Sequence, residues 1–390
     1  MKKAVIIIPT YNEKGNIEKL IGILQKDIFP KIKKYEMSIL VVDDNSPDGT
    51  ADVVKNLMKR WKNIAINTGA KEGLGAAYVR GMTYAVNEMG ADVLFEMDGD
   101  LSHDPKKVPE FLERIDKGFD LVVGARYIKG GSIPPNWGIH RKIYSVFGNL
   151  IVRMILMRFW HHDWTTGYRA LKKEVFEKIK PQLHEFKGYT FQVSFLHKAI
   201  AKGYKVSEVP FHFTDRTLGK SKIAPREYIF DLLRYVITAR ITELIHSPFL
   251  KYAITGFIGF LINAITLEIF AEIFKLAPPI AAALSAELSI IWNFIVNNFW
   301  AFGQHKITSP WKIIVKFPQF NLVSFGSLAI ITSIVTIGTH FFGNTTLVRQ
   351  ASLIIAVGLF VVPYSYAMYN IFIWKRWNVS FLSKPQGKTG

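Results

Sequence analysis

Short apolar runs alternate with amphipathic segments over residues 1–215. The runs of strand length are Ala4–Ile8, Ser38–Val42, Ile64–Ile66, Asp92–Met97 and Leu121–Val123. The segments with helical spacing of apolar residues are Asn16–Lys26, Thr50–Trp61, Leu74–Asn87 and Pro105–Lys117. This alternation predicts an α/β domain with a mainly parallel sheet and helices on both faces.

Polar clusters follow three of the predicted strands. Pro9–Glu13 follows the first strand, Asp43–Gly49 follows the second, and Asp98–Asp100 follows the fourth. In sheets of this kind, ligands bind at the carboxyl ends of the strands. We therefore expect these three loops to build one site.

Residues 216–248 have a different pattern, in which basic residues flank an apolar stripe with helical spacing. The basic residues are Arg216, Lys220, Lys222, Arg226, Arg234 and Arg240. This pattern is typical of helices that lie in a membrane interface. An amphipathic linker helix packed on the first domain is the alternative.

Residues 249–378 contain four apolar stretches long enough to span a bilayer, at 251–273, 280–302, 317–342 and 350–374. They predict an all-α membrane domain of four helices, followed by a tail at 379–390. Glu268 and Glu272 lie near one end of the first stretch and are expected at the interface. Glu287 lies about two turns into the second stretch, where a charge usually faces the bundle interior or a cavity.

The distribution of basic residues predicts the orientation in the membrane. Lysines and arginines concentrate in the connection 303–316 and after residue 374. The positive-inside rule places both regions in the cytoplasm. Because the number of spans is even, residues 1–248 are expected there too, which describes a multi-pass cell-membrane protein.

Composition narrows the possible partners. The chain has 390 residues, a net charge of +18 and no cysteine. The lack of cysteine excludes disulfides, thiolate metal sites and cysteine nucleophiles. The positive charge suits either nucleic acid or an anionic membrane face. The chain shows no recognised nucleic-acid motif, and its apolar C-terminal part favours the lipid bilayer as the partner.

Asp98 and Asp100 are the strongest candidates for chemistry. Two carboxylates at a strand exit can hold Mg²⁺ or Mn²⁺, which prefer oxygen ligands and are usually bound by one or two carboxylates plus substrate phosphates. Asp43 and Asp44 suit contact with a nucleoside, or they cap the helix that begins near Thr50. We expect Asp48 to be the capping residue and Asp43 to bind ligand.

Several motifs support a family resemblance. Val5–Glu13, Val41–Thr50 and Met97–His103 resemble family 2 glycosyltransferases of the Rossmann-like GT-A fold. Other segments resemble dolichyl-phosphate mannose synthases more narrowly, and these are Lys71–Tyr78, Gly124–Tyr127, Lys187–Gln192 and Asp215–Lys222. Residues 250–375 resemble the four-span GtrA-like domain that is fused to some prokaryotic members.

The resemblance implies that mannose passes from GDP-mannose to a membrane polyprenyl (dolichyl) phosphate. A single displacement would invert the anomeric carbon and give a β-linked product with GDP. Positions that match the nucleotide-binding motif are Pro9, Tyr11, Glu13, Asp43 and Asp98. Positions that match the metal motif are Asp98, Asp100 and Ser102, with either Ser102 or a water completing the ligand set. Positions that match the acceptor-phosphate site are Arg126, Arg141, Arg216 and Lys222.

Asp98, Asp100 and Arg126 are expected to carry the catalysis. The implied nucleophile is a phosphate monoester oxygen, which is already anionic near neutral pH because its second pKa is about 6. A general base is therefore unnecessary, and His103 and His162 are expected to form hydrogen bonds instead. The segment Asp163–Arg169 is expected near the sugar or acceptor pocket.

Two other functions fit the sequence. A polyprenyl-phosphate glucosyltransferase would keep the chemistry and use UDP-glucose as the donor. A lipid-linked sugar transporter or flippase would make the four spans the active part, with Glu287 as its main support. The four spans lack the internal repeats and broken helices of many transporters, which favours the enzyme.

Overall fold

The computed structural model describes residues 1–183, 188–215 and 225–377, and it divides the chain into two compact units, Met1–Arg240 and Ile241–Gly390. Arg216, Lys222 and the predicted tail at 379–390 lie outside the described residues.

The first unit is built on a seven-stranded sheet with the order β3-β2-β1-β4-β6-β5-β7. Its strands are β1 (Lys2–Thr10), β2 (Tyr35–Asp43), β3 (Ile64–Thr68), β4 (Val93–Glu96), β5 (Leu121–Ala125), β6 (Arg169–Lys172) and β7 (Val206–Pro210). Strand β6 runs antiparallel to β4 and β5, and the other neighbours are parallel. The predicted mainly parallel α/β fold is confirmed, although β6 and β7 were not predicted.

Helices cover both faces of this sheet. They are α1 (Lys14–Ile23), α2 (Thr50–Arg60), α3 (Leu74–Asn87), α4 (Val108–Asp116), α5 (Ile139–Leu156), α6 (Lys173–Ile179), α7 (Gly188–Ala201) and α8 (Pro225–Ile245). Helices α1, α2 and α4 bury their apolar stripes on one face. Residues of α3, α5, α6, α7 and α8 form the core on the other face. Burial of these stripes is the main force that holds the layers together.

Helix α8 occupies much of the region in which the sequence predicted interfacial helices. Its Leu232 and Val236 are buried in the core of the first unit, whereas Phe230 and Ile237 are exposed. One side of α8 therefore packs on the first domain, as in the alternative interpretation, and another side presents apolar residues. Helix α5 also exposes large apolar side chains, which the sequence analysis did not single out.

Within its described residues, the second unit contains four helices that are long and apolar enough to cross a membrane, namely α9 (Pro248–Ile273), α10 (Pro278–Ala301), α11 (Pro310–Phe342) and α12 (Leu347–Ile373). The predicted number of spans is confirmed. Stacked aromatic rings connect these helices. The ring centroids of Phe320 on α11 and Tyr369 on α12 are 4.1 Å apart, and those of Phe302, just after α10, and Trp374, just after α12, are also 4.1 Å apart. Glu287 was expected to have a functional or a bundle-internal role; it is exposed on this unit, so the bundle-internal alternative is wrong.

Candidate active site

The three predicted loops meet at the carboxyl edge of the sheet, and each contains a residue with left-handed backbone geometry. Asn12 follows β1 with φ 63°, Asn45 follows β2 with φ 52°, and Leu101 follows β4 with φ 65°. Asn tolerates this conformation, whereas Leu does so only at a cost of about 1–2 kcal/mol. The Thr214 hydroxyl donates a hydrogen bond of 3.0 Å to the Leu101 carbonyl, which helps to hold the turn between Asp100 and Ser102.

Asp98 is held on two sides at the exit of β4. The Tyr78 hydroxyl donates to Asp98 Oδ1 at 3.1 Å, and the Asp98 side chain remains 33% exposed. The backbone N–H of Asp98 donates to His103 Nδ1 at 3.0 Å. Burial lowers the pKa of His103, and because Nδ1 accepts this hydrogen bond, the ring proton lies on Nε2. His103 therefore orients the aspartate loop and is poorly suited to act as a base, as expected.

Asp100 and Ser102 form the more enclosed part of the same turn. Asp100 is 5% exposed, and its Oδ1 accepts a hydrogen bond of 3.1 Å from the Ser102 N–H. The Ser102 hydroxyl is buried and has no hydrogen-bond partner among the described residues. An orphaned oxygen beside two carboxylates fits a hard divalent cation. The described residues contain no group of three or more His, Cys, Asp or Glu side chains with metal-binding geometry, so substrate oxygens would have to complete the ligand set.

The loops after β1 and β2 are braced mainly by their own side chains. Asp43 is fully buried and accepts hydrogen bonds from Thr10 Oγ1 at 2.9 Å and from Ser46 Oγ at 2.6 Å, both on Oδ1. Its other oxygen accepts from the Ser46 N–H at 2.9 Å. Asp43 thus holds the second loop, and direct contact between this carboxylate and a nucleotide stays a prediction. Asp48 accepts from the Thr50 N–H at 3.0 Å just before α2, but the N-cap residue of this helix is Gly49 and no side chain caps it, so the prediction that Asp48 is the capping residue is wrong.

Tyr11 and Glu13 stand on the first loop, directly after Pro9 and Thr10 at the end of β1. Lys71 Nζ lies 3.4 Å from the centroid of the Tyr11 ring, within the range of a cation–π contact. Glu13 accepts a hydrogen bond of 2.8 Å from Asn16 Nδ2, and its backbone N–H donates to Thr50 Oγ1 at 3.1 Å. These residues line the same edge as Asp98, as the sequence predicted.

Arg126 follows β5 and is fixed by a buried ion pair. Its Nε donates to Asp163 Oδ2 at 2.7 Å, and its Nη2 donates to Asp163 Oδ1 at 2.8 Å. Nη2 also donates to Thr165 Oγ1 at 2.8 Å. A bidentate pair of this kind fixes the plane of the guanidinium group. The segment that starts at Asp163 therefore has a role that the sequence analysis did not assign: it orients Arg126.

Arg141, near the start of α5, is positioned by an aromatic ring and a carboxylate. Its guanidinium carbon lies 3.8 Å from the centroid of Trp137, and its Nη1 donates to Asp215 Oδ1 at 3.1 Å. Asp215 also accepts from Trp137 Nε1 at 2.8 Å. The structure thus describes two of the four predicted acceptor-site cations, and Arg216 and Lys222 lie outside the described residues.

A buried polar cluster behind Asp98 was missed by the sequence analysis. Glu96 on β4 is fully buried, and desolvation raises its pKa to about 7 against the opposing effect of the Arg169 charge. Arg169 Nη2 donates to the Gln192 carbonyl at 2.7 Å. A Cβ built on Gly167 would lie 3.2 Å from Gln192 Nε2 and 3.8 Å from Asp98 Oδ1, so this cluster reaches the aspartate motif. The one signal in the sequence is a glutamate inside an otherwise apolar strand.

These features define a glycosyltransferase: an Asp-x-Asp motif at the carboxyl edge of an α/β sheet, beside fixed arginines. The chain belongs to the family described as glycosyl transferase family 2, which matches residues 5–180, and the GtrA/DPMS transmembrane domain matches residues 251–374. Both parts of the predicted resemblance are confirmed, and the second match identifies the chain as a membrane protein.

Three relatives carry more specific names. A polyprenol monophosphomannose synthase of Mycolicibacterium smegmatis is 38% identical over 62% of this chain and 89% of its own length. A dolichol-phosphate mannosyltransferase of Pyrococcus furiosus is 33% identical over 81% of this chain and 85% of its own length. An undecaprenyl-phosphate mannosyltransferase of Micrococcus luteus is 37% identical over 61% of this chain and 96% of its own length.

Proposed function

We propose that this protein is a polyprenyl-phosphate mannosyltransferase that transfers mannose from GDP-mannose to a membrane polyprenyl phosphate such as dolichyl phosphate. The products are a β-linked polyprenyl-phosphate mannose and GDP. The names of the three relatives support the acceptor class and the sugar. The guanine nucleotide is supported by the motif resemblance alone.

The arrangement of charge around one loop edge is the observation that carries this proposal. Asp98 and Asp100 are suited to the diphosphate end of a donor through a divalent cation. The guanidinium carbon of Arg126 lies 5.6 Å from the centroid of the Phe213 ring. The Phe213 centroid lies 6.4 Å from the centroid of the His103 ring, which is next to Asp98. The guanidinium of Arg126, fixed by Asp163, thus lies two aromatic rings away from the carboxylate motif. Two anionic substrates, a nucleotide sugar and a lipid phosphate, need this juxtaposition of cations to approach each other.

Mg²⁺ or Mn²⁺, held by Asp98, Asp100 and the Ser102 hydroxyl, would stabilise the charge that develops on the leaving diphosphate. Arg126 and Arg141, together with Arg216 and Lys222, would gather the acceptor phosphate and neutralise it. Tyr11, Glu13 and Asp43 would hold the nucleoside. The acceptor oxygen arrives ionised, so no side chain has to remove a proton. Direct displacement then inverts the anomeric carbon.

The proposed organisation follows the same logic. Residues 1–215 form the catalytic domain, 216–248 connect it to the bilayer, and 249–378 anchor it through four spans. The catalytic domain and the C-terminal end face the cytoplasm, where charged nucleotide sugars are kept. The exposed apolar residues of α5 and α8 would contact lipid and receive the prenyl chain.

A transfer assay with purified full-length protein tests the proposal. The protein is incubated with Mn²⁺ or Mg²⁺, a polyprenyl phosphate and either labelled GDP-mannose or labelled UDP-glucose, and the lipid is extracted. We expect label in the lipid from GDP-mannose alone, and none with the Asp100→Ala variant. Label from UDP-glucose alone would identify a glucosyltransferase instead. No transfer from any nucleotide sugar, together with movement of lipid-linked sugar in liposomes, would point to a flippase.

A further inference from the structure

A basic cavity lies at one end of the membrane unit. It has a volume of about 360 Å³ and is formed by the connection between α10 and α11, the first turns of α11 and the residues at the end of α12. Four of the lining residues are lysines, at Lys306, Lys312, Lys316 and Lys375. A volume of this size lies at the lower end of the range for small-molecule pockets.

The positive charge of this cavity has no balancing acid in its lining. None of the described residues that line it is Asp or Glu, and the sequence contains no acidic residue after Glu287. Lys316 Nζ donates to neutral oxygens only in the described contacts, at 2.8 Å to Gln319 Oε1 and 2.6 Å to the Phe372 carbonyl. The charges of Lys316 and Lys375 also repel each other. An anion from outside the protein would relieve this repulsion.

The backbone around the cavity is built to hold its shape. Asn298 Oδ1 accepts from the Ile307 N–H at 2.8 Å and from Trp374 Nε1 at 3.0 Å, which ties the α10–α11 connection to the end of α12. Beyond it, the Arg376 N–H donates to the Asn370 carbonyl at 2.7 Å. This closure puts Lys375 in a left-handed conformation, φ 49°, that Gly or Asn would adopt more easily. The chain thus carries a lysine at the cavity despite a conformational cost.

The start of α11 adds to the attraction for anions. The helix is 33 residues long, and its first turn carries Lys312 next to the N-terminal partial positive charge. Trp311 and Ile314 in the same turns are 72% and 62% exposed. A cationic cavity beside exposed apolar and aromatic side chains is the arrangement that a lipid requires, with a charged headgroup and an acyl chain.

We propose that this cavity binds the phosphate headgroup of an anionic membrane lipid. The cavity lies where α10 ends, α11 begins and α12 ends, which is the level of a bilayer surface if these helices span it. A headgroup phosphate would contact the lysines, and its acyl chains would lie along Trp311 and Ile314. This inference concerns the membrane unit and does not depend on the proposed transferase activity.

Lipid binding to the full-length protein tests the inference. The protein in neutral detergent is titrated with phosphatidylglycerol or phosphatidylcholine, and bound lipid is counted by native mass spectrometry. The test variant is Lys312→Gln/Lys375→Gln. The control is Lys275→Gln/Arg349→Gln, which is closely matched: Lys275 is also left-handed just after α9, and Arg349 lies in the first turn of α12 as Lys312 does in α11.

We expect the wild-type protein and the control variant to bind phosphatidylglycerol more tightly than phosphatidylcholine. The test variant should bind phosphatidylglycerol about tenfold more weakly, because each lysine near a membrane surface adds to the attraction for anionic lipid. Equal binding of the two lipids by wild type, or undiminished phosphatidylglycerol binding by the test variant, would overturn the inference. A competition experiment with inorganic phosphate tests whether the cavity binds a free anion instead of a lipid headgroup. Its displacement of phosphatidylglycerol at submillimolar concentration would assign the cavity to soluble phosphate and overturn the lipid assignment.

Discussion

Replacing Asp163 with Asn removes the negative charge that holds Arg126 in place. Asp163 is fully buried and Arg126 is 9% exposed, so solvent screens their interaction little. The carboxylate accepts three hydrogen bonds from Arg126: from its backbone N–H at 3.0 Å, from Nε at 2.7 Å and from Nη2 at 2.8 Å. Asn keeps the shape and one acceptor oxygen, but its amide N–H₂ group would face a guanidinium N–H.

The expected loss of stability follows from these contacts. Breaking a buried ion pair by removing one partner costs about 3–5 kcal/mol. Asn retains part of the hydrogen bonding, so the lower end, about 3 kcal/mol, applies. For a domain of this size each kcal/mol shifts the melting temperature by roughly 2–4 °C, so a fall of about 6–12 °C is expected for the first unit.

The same substitution should weaken binding of the acceptor lipid phosphate more than binding of the nucleotide-sugar donor. A misplaced Arg126 weakens a charge-assisted contact to the lipid phosphate, and a contact of this type contributes about 1.5–3 kcal/mol. We expect the KM for polyprenyl phosphate to rise about tenfold or more, with the KM for GDP-mannose changed less than about twofold.

Thermal unfolding in detergent and steady-state transfer kinetics measure the two effects. Asp52→Asn is the control, because the one ion pair of Asp52 among the described residues is an exposed pair with Lys55, and pairs of this kind contribute little to stability. If Asp163→Asn does not fold, Arg126→Lys provides a milder change that keeps the charge and removes the bidentate geometry. A melting temperature within about 2 °C of wild type and an unchanged acceptor KM would refute the reasoning.

Three further substitutions probe other parts of the molecule. Ser102→Ala removes the orphaned hydroxyl, so half-maximal activity should require several-fold more Mg²⁺ or Mn²⁺; an unchanged metal titration would show that Ser102 is not a ligand. Burial alone would raise the pKa of Asp120, but the hydrogen bonds from Lys172 Nζ and from the Lys205 N–H, together with the charges of both lysines, outweigh it and lower the pKa below its ordinary 3.8. The stability that this provides is present above pH 3.8 and is lost as the pH falls, so Asp120→Asn should flatten the drop in melting temperature between about pH 5 and pH 3. Gly326→Ala would place a Cβ in steric overlap with the Tyr364 hydroxyl, and overpacking of this kind costs about 1–3 kcal/mol, measurable as a lower melting temperature of the membrane unit.

Much of the architecture is local in origin and was predictable. The strand of Ala4–Ile8 and the helix of Leu74–Asn87 each carry their hydrophobic period within a few residues. The same holds for the four apolar stretches, whose length alone predicts a span. The Asp98–Asp100 motif was recognisable because it follows an apolar strand directly, and the sheet geometry then places it at the ligand edge.

The missed or mistaken features depend on distant contacts. Strand β6 was not predicted because its short sequence becomes a strand only between β4 and β5. Glu96 was passed over as part of an apolar run, although its burial beside Arg169 raises its pKa. Glu287 was expected to have a functional or a bundle-internal role because of its depth along α10, but the face on which it lies depends on how the helices pack.

By itself, the sequence determined the α/β class of the first unit, the four apolar helices and the loops that carry Asp98 and Asp100. Periodicity, length and turn chemistry act over a few residues, so they can be read from the chain. Only the tertiary structure decided that Asp163 holds Arg126 and that four lysines surround one cavity without an acid. Arg126 and Asp163 are 37 positions apart, and Lys375 follows the nearest of the other three lysines, Lys316, by 59 positions (375 − 316), so no local pattern specifies which of many possible partners will meet.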